Sequence, residues 1–177
     1  MTVKTQIKDR LIVALDTSSE SEALKLIETL KNNVGYFKVG LELYAALCPK
    51  IIKTIKDQGN KVFFDGKFLD IPNTVSRAVS NMVKHRVDML NVYLSGGKQM
   101  LIESKNTLIE TAQQMNLQPP KLLGVTVLTS ITNDVLQNDL KVKSQLDEYV
   151  LHLAQYALKI GLDGIICSPN EAKIIKE

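Results

Sequence analysis

Cysteine is scarce. Cys48 and Cys167 are the only two, too few for a disulfide framework and without the spacing of metal ligands. They are expected to be small core residues in a reducing compartment. Long apolar runs are also missing. The polar opening MTVKTQIKDR is followed by LIVAL, which ends at Asp16. That is neither a secretory core segment nor a membrane span, so a cytoplasmic protein with no membrane partner is expected. Nine glycines and five prolines make collagen-like and disordered chains unattractive readings. Only five Tyr and four Phe are available as stacking platforms, and the lysines form no stripe. No nucleic-acid partner is therefore expected. Neither G-x-G-x-x-G after the first strand nor G-x-x-x-x-G-K-[ST] anywhere is present, which removes the usual evidence for dinucleotide and P-loop folds.

What remains is ordinary in bulk. The 177 residues suit a single domain, 1–177, and 45% hydrophobic with 23% charged residues is typical of a soluble globular chain. The net charge of +3 comes from 22 basic and 19 acidic residues scattered along the sequence. Short runs rich in Val, Ile, Leu and Phe recur at 11–15, 35–39, 61–64, 89–93, 122–128 and 164–167. Amphipathic stretches separate them. The first has Ser18 or Ser19 as N-cap and Ala23, Leu26, Ile27 and Leu30 as its apolar stripe. A second spans 44–57, with Leu47, Ile51, Ile52 and Ile55 inward, and stops at Gly59. Others are expected at 75–84, 99–115 and 146–159. Apolar strands alternating with helices indicate an α/β fold with a parallel sheet, either doubly wound or a (β/α)₈ (TIM) barrel. Polar residues stand at the ends of several different strands: Asp16, Lys38, Asp65, Asn91 and the Thr129–Ser130 pair. A barrel assembles its site from many strand ends at once, which favours the barrel.

The densest chemistry lies in KVFFDGKFLDIPNT, residues 61–74. Asp65 and Lys67 project to one side if the strand persists through Gly66, which leaves open space between them or relieves crowding. Asp70 follows where the chain turns before Pro72. An ion pair at 4 Å is worth about 4 kcal/mol at an effective dielectric near 20, so a lysine among carboxylates holds its proton. A fixed ammonium donor in a polarised pocket suits protonation of a carbanion. A surface salt bridge between Lys67 and Asp70 is the bland alternative. Lys38 weighs against it. It occupies a strand position that should be apolar, and must snorkel to water or meet a carboxylate such as Asp65. His85 and His152 have no companion ligands and are read as structural. Ser95-Gly96-Gly97 is read as a tight turn, with a phosphate nest as the alternative. Tyr44 and Tyr93 are read as packing residues, and Pro72 as the first turn of a helix.

The motifs LIVALD, F-K-V-G, F-x-D-x-K-x-x-D-I-P-N-T, M-x-N-V-x-x-S-G-G and G-V-T-V-L-T-S, in that order and on through GLDGIICSP, resemble the orotidine 5'-phosphate decarboxylase family. The resemblance implies conversion of orotidine monophosphate to uridine monophosphate in pyrimidine biosynthesis, with no metal and no organic cofactor. Lys67 would protonate C6 of the pyrimidine. Asp65 would stand beside the substrate carboxylate, and Asp16 and Lys38 would contact the ribose. Asp70 would complete the charged network of the neighbouring subunit of a homodimer, with Ile71 and Thr74 close to that shared site. Ser130 would bond the pyrimidine ring.

Gly66 and Leu69 replace a larger apolar residue and a histidine of the family's segment, and Tyr93 replaces another histidine. A barrel takes about 250 residues, or about 200 when small, whereas this chain stops at Glu177, inside the helix expected after the sixth strand. By the resemblance, the missing part contains the seventh and eighth strands and the loops that grip the phosphate. A fragment of a longer enzyme, or a barrel completed by another polypeptide or a partner protomer, are both open. Weak or absent turnover is expected of the chain alone. The rival readings are a Mg²⁺-dependent sugar-phosphate decarboxylase or aldolase of the same superfamily, and a non-catalytic fragment retaining the fold.

Overall fold

The expected alternation is present in the computed structural model, which describes residues 7–176. Strands β1 (Ile12–Ala14), β2 (Tyr36–Gly40), β3 (Val62–Phe68), β4 (Met89–Tyr93), β5 (Lys121–Val125) and β6 (Gly164–Ile166) make one sheet in sequence order. The pairs β1–β2, β2–β3 and β5–β6 are parallel. Helices α1 (Glu20–Leu30), α2 (Leu41–Leu47), α3 (Pro49–Asp57), α4 (Pro72–Lys84), α5 (Gly97–Gln114), α6 (Leu146–Ile160) and α7 (Ala172–Lys176) connect or follow the strands. A doubly wound sheet reverses its strand order at a switch point. The unreversed order here is the connectivity of a (β/α)₈ barrel, of which six β/α units are present.

Contacts divide the chain into two compact units. The first runs to Gly66 and includes Val79–Leu90 and Leu108–Pro120. In it, Ser19 caps α1, its Oγ accepting the Glu22 N–H at 3.4 Å. Ala23 and Ile27 are buried as expected, but Leu26 is 40% exposed because it sits at the edge of that helix face. The single helix expected at 44–57 is two. The chain breaks at Cys48, whose φ is 54°, and α3 begins at Pro49. Proline has no N–H to donate and its ring clashes with the preceding turn, so it opens a helix and does not continue one. Ile51, Ile52 and Ile55 are fully buried on α3, and Gly59 follows its end with φ 79°.

The second unit comprises Lys67–Ala78, Asn91–Thr107 and the chain from Lys121. Gln145 and Glu148 form a capping box at the start of α6, and Gly161 closes it in the left-handed conformation. Lys105 Nζ donates to the last carbonyl of that helix, Ile160 O, at 3.2 Å. Residues 94–96 make a tight 3₁₀ turn, and Gly97 opens α5 with φ 82°. That is the turn expected at Ser95-Gly96-Gly97. β5 stops at Val125, three residues sooner than expected.

Each unit ties the start of one strand with an aspartate that precedes the next. Asp88, just before β4, accepts the Val62 N–H at 2.8 Å and Lys56 Nζ at 2.6 Å. Asp163, just before β6, accepts the Leu122 N–H at 2.8 Å. Asp88→Asn retains an acceptor for the strand and loses only the charge. We expect Asp88→Ala to lower stability by about 1–3 kcal/mol and Asp88→Asn by less. Urea denaturation checks the order of the two.

Candidate active site

Asp16, Lys38 and Asp65 meet in the first unit. Lys38 stands in β2 in register with Ala14 on one side and Phe63 on the other, and Gly40 is in register with Asp65. With a side-chain period of two, Lys38, Gly40, Phe63 and Asp65 share a face. Phe37 and Val39, on the opposite face of β2, are buried. Lys38 Nζ lies 3.2 Å from Asp16 Oδ1 and 3.3 Å from Asp65 Oδ2. The interior lysine has therefore met its carboxylates and does not merely snorkel. Its two partners differ: the side chain of Asp65 is 11% exposed and that of Asp16 is 66% exposed. The Lys38–Asp65 pair is the one taken out of water, and losing one member of such a pair is expensive.

Gly40 makes room for this bridge. A Cβ there would stand 3.3 Å from Lys38 Nζ and 3.8 Å from Asp16 Oδ1. Nothing in the sequence beyond the F-K-V-G motif pointed to that role. At Gly66 the first of the two expected roles, leaving open space, is not met. The space beside it is not open. A Cβ at Gly66 would fall 2.2 Å from Phe64 Cε1. The Phe64 ring fills that volume and packs edge-on against Tyr44, with centroids 4.9 Å apart. Tyr44 is thus a packing residue, and burial, then the neighbouring Cys48, pushes its hydroxyl pKa up.

Lys67, Asp70, Ile71, Thr74 and Ser130 belong to the second unit. β3 does persist through Gly66, to Phe68, but Lys67 has φ 47°. Simple alternation therefore fails at the lysine itself. A left-handed conformation at a residue with a Cβ costs roughly 1–3 kcal/mol. The Lys67 N–H donates to Asn91 Oδ1 at 2.7 Å, and Asn91 is fully buried in β4. The sequence marked Asn91 only as a polar strand end. Asp70 Oδ1 accepts the Ile71 N–H at 2.6 Å, and Asp70, Ile71 and Thr74 are grouped, exposed, at the start of α4, whose first residue is Pro72. Ser130 is exposed in the turn after β5, away from that helix start in the sequence. Tyr93 lines an apolar cavity of about 270 Å³ with Leu128, Leu136, Leu140 and Tyr149. His152 lies on α6 near-parallel to the rings of Tyr149 and Tyr156.

Residues 9–177 match the orotidine 5'-phosphate decarboxylase / HUMPS family. The chain belongs to that family. It is similar to the orotidine 5'-phosphate decarboxylase of Moorella thermoacetica, with 39% identity over 99% of this chain and 69% of the relative. It is 41% identical to that of Nostoc sp., over 96% of this chain and 71% of the relative. The crystal structure of the Lactobacillus acidophilus orotidine 5'-phosphate decarboxylase superposes with a TM-score of 0.86 at 40% identity, covering 93% of this chain and 74% of that one. Family membership and fold agree: this is a decarboxylase-family chain carrying six units of a (β/α) barrel.

Two stability contrasts follow from the geometry. Lys38→Met is expected to destabilise by about 3 kcal/mol, because it strips a counter-charge from a buried carboxylate. Asp16→Asn should change stability by at most about 1 kcal/mol, since that pair is solvent-exposed. Equal losses in urea titrations would refute the contrast. Gly66→Leu should cost about 1–3 kcal/mol by overpacking against Phe64. The double variant Phe64→Ala/Gly66→Leu should lose less than the two single changes added together, as a double-mutant cycle would measure.

Proposed function

We propose that the chain decarboxylates orotidine monophosphate to uridine monophosphate and carbon dioxide without a metal or organic cofactor. The observation that carries the reading is the Lys38 ammonium held between Asp16 and Asp65, with Lys67 two residues beyond Asp65 in the sequence. In this reaction the bond from C6 to the carboxylate breaks and its electron pair stays on C6. The Lys67 ammonium gives C6 a proton and is left neutral. Asp65 faces the substrate carboxylate, and fixed charges favour the carbanion-like transition state over the bound substrate. Asp16 and Lys38 hold the ribose hydroxyls, and Ser130 holds the pyrimidine edge. The proposed assembly is a cytoplasmic homodimer in which Asp70 and Thr74, with Ile71 beside them, serve the neighbouring subunit's site. Membership of the family and the similarity to the Moorella and Nostoc enzymes support this reading.

Turnover by these 177 residues alone is expected to be slow, because no residue in them matches the phosphate-gripping segments that the family resemblance implies. Remote phosphate contacts supply binding energy that is spent at the reacting centre. Release of radiolabelled carbon dioxide from carboxyl-labelled orotidine monophosphate detects slow turnover. We expect measurable release, lowered about 10²-fold or more by Lys67→Ala and unaffected by Mg²⁺ or a chelator. Release that requires Mg²⁺ favours the sugar-phosphate class. No release and no binding of uridine monophosphate favours a fold without catalysis.

A further inference from the structure

We propose that Asn91 is the positioning residue for Lys67, aiming the proton donor by holding its backbone in the left-handed conformation. The proposal rests on the decarboxylation reading above and deepens it. Five described non-glycine residues have positive φ: Cys48, Lys67, Arg86, Asn116 and Lys141. Cys48 marks a helix break, and Arg86, Asn116 and Lys141 lie outside helices and strands. Lys67 alone among them stands within a strand. A turn does not explain its conformation, so something local has to maintain it.

Asn91 is that something. It is fully exposed to the protein interior and not to water, flanked in β4 by Leu90 and Val92, which are also fully buried. A carboxamide in such a strand is unfavourable unless its polar atoms are bonded. Its Oδ1 receives the Lys67 N–H at 2.7 Å. An extended residue offers its N–H to a neighbouring strand's carbonyl, whereas a left-handed one turns it out of the ladder and needs another acceptor. One hydrogen bond therefore serves two locally unfavourable choices, the carbonyl oxygen of a buried amide and the N–H of a positive-φ lysine. The dihedral at Lys67 sets the direction of its Cα–Cβ bond, and hence where the ammonium can reach. Without the acceptor, residue 67 relaxes toward an extended φ and the donor swings away from its working position. Asn91 itself need touch no substrate.

The test uses the 177-residue protein and its variants Asn91→Ala and Asn91→Asp. Amide hydrogen exchange by NMR reads the bond directly. The Lys67 N–H should exchange roughly 100-fold faster in Asn91→Ala, with the Leu90 and Val92 amides unchanged. Carbon dioxide release should fall about 10- to 100-fold, the usual penalty for a misplaced catalytic group, with uridine monophosphate binding unchanged. Asn91→Asp, which keeps an acceptor oxygen in place, should restore Lys67 protection and most of the rate. The proposal is overturned if Lys67 exchange or the release rate is the same in Asn91→Ala, or if ligand binding falls in step with the rate, the sign of a general structural role. Should Asn91→Ala not fold, Asn91→Ser, too short to reach the same N–H, takes its place under the same criteria. If Lys67→Ala leaves release untouched, the decarboxylation reading fails first, and the exchange data show separately whether the hydrogen bond exists.

Discussion

An ammonium placed on an interior strand has to be answered by carboxylates, and the first unit is arranged around that demand. Lys38 reaches Asp16 beyond the end of β1 and Asp65 on β3, so its two partners come from chain segments on either side of β2. Their meeting depends on strand register. A one-residue slip of β2 would send Lys38 to the face that Phe37 and Val39 occupy and bring an apolar residue between the carboxylates. The apolar alternation that packs β2 therefore also fixes the charge bridge. Gly40 supplies the remaining space. Packing and electrostatics specify the same register, and each penalises an error in the other.

Opposite ends of the strands do different work. Asp88 and Asp163 accept N–H groups at the starts of β3 and β5 and hold those strands there. Asp16, Asp65, Lys67 and Ser130 each stand toward or beyond the C-terminal end of a strand. Acidic residues of one type thus anchor strands at one end and hold a lysine at the other. What separates them is the backbone amide: Asp88 and Asp163 each accept one, Asp88 together with the Lys56 ammonium, whereas Asp16 and Asp65 share the Lys38 ammonium.

Most of the fold was legible because it rests on local patterns. β4 was read to its limits, and the other strands to within a few residues, from short apolar runs alone. The break at Cys48 was missed because the apolar spacing of Leu47, Ile51, Ile52 and Ile55 carries one helical period across it, while Pro49 could serve either to interrupt or to begin a helix. The charged residues of the site were also legible, since Lys38 is out of place in a strand and D-x-K-x-x-D is dense. What stayed hidden was conformational. No periodicity signals that Lys67 leaves the extended region, or that the acceptor for its N–H is a side chain in β4. The open space at Gly66 was misread because alternation puts Phe64 on the same side but does not show that its ring folds over the glycine.

That last pairing ties two positions into a single history. The family resemblance implies a larger apolar residue where this chain has Gly66, and the Phe64 ring occupies the volume such a residue would claim. Neither site can change freely while the other stays. A chain with the bulkier side chain at position 66 has no place for this ring, whereas a chain that first acquires glycine there holds an unfilled gap until a larger residue arrives at 64. The route with glycine first passes through underpacking, and the reverse route through a clash beside Asp65. Substitutions at these two positions are expected to be inherited as a pair, and a variant library sampling one position at a time would misjudge both.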